Sequence, residues 1–118
     1  MPLVKMSQVL KPALEIKYAV GAFNADNLEM VQAFIEAAEE EHSPLILQLS
    51  QGAINYAGLQ YVVSLVQTAA RQTAVPIVLH LDHGKDLEQN VLALRAGVTC
   101  LGIDTSMLPF EDNLAVTQ

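Results

Sequence analysis

Apolar positions follow two rhythms along this chain. Short runs with little polar interruption, Tyr18–Asn24, Leu45–Ser50, Val75–Leu81 and Thr99–Ile103, read as strands buried on both faces. Between them, apolar residues recur three to four positions apart, the spacing of amphipathic helices. The stretch Asn27–Glu41 sets Leu28, Val31, Ile35 and Ala38 on one face, with Asp26 or Asn27 available as a cap. Ser43-Pro44 ends it, because a residue before proline is pushed out of the helical region. Leu59–Thr73 and Leu87–Ala96 repeat the helical pattern, and a short helix over Met6–Leu14 opens the chain. Gln51-Gly52 reads as a polar turn closing the second strand.

Apolar strands alternating with amphipathic helices predict a parallel sheet covered by helices. The strand-to-strand spacing of roughly 25 to 30 residues suits either an open doubly wound sheet or a (β/α) barrel. Gly21-Ala22-Phe23-Asn24 lacks the glycine fingerprint of a dinucleotide-binding turn, and no phosphate-cradling P-loop pattern occurs.

Composition narrows the class. The chain has 118 residues, 52% hydrophobic and 16% charged, enough for one core in one domain spanning 1–118. No stretch reaches the roughly 18 apolar residues of a membrane span, and the N-terminal segment has no apolar signal core or cleavage site. A soluble, cytoplasmic protein is expected. Thirteen acidic residues against six basic ones give a net charge of −7, which opposes nucleic acid or an anionic membrane as partner. Glu36, Glu39, Glu40 and Glu41 crowd one helix end and read as a solvated face. The single cysteine, Cys100, lies in the apolar run VTCLGI and reads as a small buried hydrophobe.

Ligands of parallel α/β folds sit at the carboxyl ends of the strands. The polar residues at those ends are Asn24, Ser50, Asp82, His83 and Asp104. The third end is the richest, since Leu79-His80-Leu81-Asp82-His83-Gly84 puts three titratable groups into an apolar strand. An imidazole beside a carboxylate suits a metal ligand next to a general acid/base. His80 reads as a hydrogen-bonded core histidine, or one that supports a ligand from behind, and His42 as a helix C-terminal residue facing the helix dipole.

The blocks YAVGAFN, AAEEEHSPLILQLSQGA, VPIVLHLDHG and GIDTSMLPFEDN, in this order, resemble consecutive blocks of the class II aldolases. The resemblance runs in register over almost the whole chain. It implies a (β/α)8 TIM barrel, of which this chain would hold the first four βα units. It further implies zinc as cofactor and cleavage of fructose 1,6-bisphosphate to two triose phosphates, with tagatose 1,6-bisphosphate as the alternative substrate. His83 is then a zinc ligand, and Asp82 shuttles a proton at the hydroxyl next to the cleaved carbon. Asp104 matches an aspartate used at a second metal position. Ser50 and Asn24 match substrate-contacting residues. The partners implied are small sugar phosphates, and a homo-oligomer is expected.

Two departures from the family pattern bear on the site. Thr105 stands where a small residue is usual, and Met107 where a histidine is frequent. A complete barrel needs eight strands and about 250 residues. Three further ligands, a glutamate and two histidines, are then expected beyond Gln118. The chain by itself is expected to be inactive, either as the first segment of a longer enzyme or as a split half-barrel that associates with another.

Overall fold

The computed structural model describes residues 3–118. Ten elements follow one another along the described residues, strands and helices alternating except where two helices come between the second and third strands. They are α1 (Met6–Ile16), β1 (Gly21–Asn24), α2 (Leu28–Glu40), β2 (Leu45–Leu49), α3 (Gln51–Ala57), α4 (Leu59–Gln72), β3 (Ile77–Gly84), α5 (Leu87–Ala96), β4 (Cys100–Ile103) and α6 (Phe110–Thr117). The four strands form one parallel sheet, as the apolar runs predict, in the order β1-β2-β3-β4 expected from those runs together with the block resemblance.

The pleat divides the strand residues between two faces. Leu47, Leu49, Leu79 and Leu81 are wholly buried in the main core with Val31, Ile35, Val62 and Val66 of the helices. Each such leucine contributes about 1.5–3 kcal/mol by leaving water. On the other face Ile46 and Val78 meet Val9 of α1, which closes the end of the sheet where the strands begin. Farther along that face the residues turn polar, and one register row reads Asn24, Gln48, His80 and Cys100. Cys100 is only partly buried, short of the fully buried position expected, and that partial burial pushes its thiol pKa up.

Four sequence expectations need correction. Tyr18–Val20 does not join β1, which starts at Gly21. Leu28 opens α2 and stays 48% exposed, so the buried face begins at Val31. Gln51-Gly52 is not a turn but the start of α3, because the Ser50 hydroxyl accepts from the Ala53 N–H at 3.1 Å and caps a helix there. Finally, β3 runs on through Gly84 rather than ending at Leu81. The cap of α2 is Asn27, whose side chain accepts from the Met30 N–H.

Candidate active site at the carboxyl ends of the strands

All five residues singled out in the sequence lie at one edge of the sheet. Asn24 ends β1, Ser50 follows β2, Asp82 and His83 lie near the end of β3, and Asp104 follows β4. Three of them form a connected cluster. His83 Nδ1 lies 2.5 Å from Asp104 Oδ2, and His83 Nε2 lies 3.7 Å from Asp82 Oδ2. The other oxygen of Asp82 faces His80 Nε2 at 3.8 Å, so this carboxylate stands between two imidazoles. Asn24 and Ser50 share the edge without touching the cluster. Ser50 instead lines a cleft of about 320 Å³ with Asp26, Asn27, Met30 and Tyr56.

Strict alternation would send His83 to the face opposite Asp82. A bulge prevents this. Leu81 pairs with Leu101 and Gly84 with Ile103, so Asp82 and His83 together oppose Gly102 alone. His83 takes the left-handed backbone conformation, φ 51°, which turns its ring toward β4. Two glycines permit the close approach. A Cβ on Gly102 would sit 2.9 Å from the Leu81 carbonyl and 3.1 Å from His80 Cε1, and one on Gly84 would strike the Gly102 carbonyl. The Asp104 N–H then donates to the Gly84 carbonyl at 2.8 Å, tying the two strand ends together.

Electrostatics follow from these contacts. The hydrogen bond to Asp104, then the nearby charges of Asp82 and Asp104, raise the His83 pKa above its ordinary value. Asp104 is held well below the usual carboxylate range, first by the Ser106 hydroxyl, then by His83 and the Ser106 N–H. Ser106 donates to Asp104 Oδ1 from both groups, at 2.6 Å and 3.0 Å. Ser106 is not among the residues that the sequence singles out, and its one local signal is the turn chemistry of an aspartate two residues before a serine. Thr105 is buried, and its hydroxyl lies 2.6 Å from Asn113 Oδ1, which anchors the loop after β4 to α6.

Of the two readings of His80, the structure departs from one. Its Nδ1 is buried and has no hydrogen-bond partner among the described residues, so it is not a hydrogen-bonded core histidine, while its Nε2 faces Asp82 from behind the cluster. As zinc donors, His83 and Asp104 have the right chemistry, a nitrogen and a carboxylate oxygen side by side. Among the described residues no group of three His, Cys, Asp or Glu could hold a metal ion. A catalytic zinc normally takes about three protein ligands, so the pair fits as part of a centre and not as a whole one. None of the described helices is long and apolar enough to cross a membrane.

Comparison with known proteins agrees with the block resemblance. The sequence profile of the family "Fructose-bisphosphate aldolase class-II" matches residues 4–118. The chain is 47% identical over 120 residues to the fructose-bisphosphate aldolase of Geobacillus stearothermophilus, covering 99% of this chain and 42% of that protein. It is 46% identical over 116 residues to the fructose-bisphosphate aldolase of Helicobacter pylori, covering 98% and 38%. The crystal structure of the YdjI aldolase of Escherichia coli superposes with a TM-score of 0.91 at 30% identity, covering 98% of this chain and 44% of that one. The chain therefore spans about four tenths of the length of the relatives it matches.

Proposed function

Because the chain belongs to the class II fructose-bisphosphate aldolase family, we propose that residues 1–118 are the N-terminal half of an aldolase barrel and carry part of its active site. The reaction is the reversible cleavage of fructose 1,6-bisphosphate to dihydroxyacetone phosphate and glyceraldehyde 3-phosphate. The observation that carries this reading is the Asp82–His83–Asp104 cluster, assembled by the bulge at the carboxyl end of the sheet.

In this reading His83 and Asp104 hold zinc, which when bound supplies a Lewis acid for the substrate ketone. Asp82 handles the proton. It takes that proton from the hydroxyl beside the scissile carbon–carbon bond as the aldehyde forms, and returns it in condensation. Ser50 uses its oxygen to cap α3, which leaves the hydroxyl proton free for a phosphate or sugar oxygen. The Asn24 side chain is exposed at the same edge and offers both a donor and an acceptor. The partners are sugar phosphates, the setting cytoplasmic, and the working form a homo-oligomer.

The test joins residues 1–118 to the remaining part of the Geobacillus stearothermophilus relative and assays cleavage of fructose and tagatose 1,6-bisphosphates. Turnover of either sugar that a chelator abolishes is expected, and the ratio of the two rates names the substrate. A folded, zinc-loaded chimera with no turnover of either would overturn the proposal.

A further inference from the structure

Two segments that carry proposed site residues are tied together by side chains that the chemistry above does not use. Gln89, in the first turn of α5, is only 8% exposed. Its Oε1 accepts from the Lys85 N–H at 2.9 Å, and its Nε2 donates to Gln51 Oε1, 38 residues away in sequence. Gln51 in turn donates to Asn55 Oδ1 at 2.7 Å. Lys85 directly follows Gly84 at the end of the bulged strand, and Gln51 directly follows Ser50.

Burying a long amide side chain opposes folding, through lost rotamer freedom and the need to satisfy every polar atom. The adjoining cleft is mixed, with Ile54, Leu59 and Leu92 beside Lys85, Asp86 and Glu88, so an apolar side chain would also find contacts there. A leucine would fill a similar volume with no polar atom of its own to satisfy, but it would take away the partner of the Lys85 N–H and of Gln51 Oε1. What the glutamine adds is a link between the segment after β3 and the first turn of α3.

We infer that Gln89 is a positioning residue, which clamps those two segments together and so fixes the distance from Ser50 to Asp82 and His83. The inference rests on the reading of these three residues as parts of one site. A substrate that meets Ser50 at one end and Asp82 at the other needs that distance held, since small misplacements of reacting groups cost rate steeply. Gln89 touches no proposed substrate group and acts only through the segments it joins.

The experiment follows backbone amides of the 118-residue chain by nuclear magnetic resonance and hydrogen exchange in Gln89→Leu, Gln51→Leu and Gln51→Glu. Gln89→Leu is expected to speed exchange of the Lys85 amide about tenfold, the loss of one net hydrogen bond. It should also move the amide resonances of Gln51–Ala53 and of Asp82–His83, while exchange at Leu79 and Leu81 stays as it was. Gln51→Leu should move the same two sets. Gln51→Glu keeps an acceptor for Gln89, and the exposed Asn55 amide can turn to donate to the carboxylate in place of accepting, so both sets should stay in place. Changes confined to α5 and Lys85 would overturn the inference, as would a Gln51→Glu chain perturbed as far as Gln51→Leu. Should Gln89→Leu fail to fold, the two variants at the more accessible Gln51 decide alone. These readouts need neither zinc nor turnover, so failure of the clamp and failure of the aldolase reading are separate results.

Discussion

The ring of His83 reaches the carboxylate of Asp104 at 2.5 Å, across a strand boundary and 21 residues of sequence. Neither residue sits on a regular strand position. His83 belongs to the bulge on β3, and Asp104 to the turn that Ser106 closes after β4.

That contact predicts a pH signature in the metal-free chain. His83 is expected to titrate above the ordinary histidine value of about 6.5. Its contribution to stability is then complete below the unfolded-state pKa and is lost as pH rises through the folded one. Asp104 has the opposite sign. Its folded pKa is lowered, so its contribution is present above the unfolded value of about 4 and is lost as pH falls toward the folded one. The pair therefore contributes most between about pH 4 and 6.5. Proton resonance titration of the His83 ring checks this: Asp104→Asn should lower its pKa, and an unchanged value would sink the assignment.

The backbone at His83 predicts a contrast between two substitutions. At φ 51° a β-branched residue is strained by about 1–2 kcal/mol, whereas asparagine adopts the left-handed region readily. His83→Val should therefore be less stable than His83→Asn by about that amount in urea unfolding. Equal midpoints and slopes would show that the left-handed turn is not held in solution.

Glycine substitutions separate a crowded position from an open one. Gly102→Ala must push the Leu81 carbonyl or the His80 ring and is expected to cost about 1–3 kcal/mol. Gly52→Ala, inside α3 and with only the Ser50 oxygen at 3.4 Å, is expected to gain about 0.5 kcal/mol from helix propensity. Denaturant midpoints of the two variants measured side by side give the comparison. A tolerated Gly102→Ala would mean that the bulge can relax around a side chain.

The exposed edges predict association. β1 and β4 each pair on one side only, and Leu14, Ile16, Phe23 and Leu101 lie exposed on the described chain. Unpaired strand edges with apolar side chains template pairing with another chain. The net charge of −7 opposes this, so association should strengthen as salt screens the repulsion. Size-exclusion chromatography with light scattering should show a dimer or larger species at about 0.15 M salt. A monodisperse monomer at every salt concentration would contradict the expectation.

The element order and the parallel sheet were legible because they rest on local periodicity and on apolar runs such as Leu45–Leu49. The residues at the strand ends were legible for the same reason, since they stop those runs. Three features were not. Gly52 concealed α3, a short helix that Ser50 starts by capping rather than by propensity. The bulge at Asp82–His83 depends on Gly102, which lies opposite in space and not nearby in sequence. The contact between Gln89 and Gln51 joins two positions that read separately as a helix start and a turn. Each case turns on a neighbour that only the folded sheet supplies.

The most direct measurement of the central claim is zinc content beside turnover in the chimera that completes the barrel. Asp82→Ala is expected to lower turnover by about 10²–10⁴-fold while zinc stays bound, because a carboxylate that moves a proton does not have to hold the metal. His83→Ala is expected to lose both turnover and zinc. Zinc content equal in the His83→Ala and unsubstituted chimeras would contradict the account.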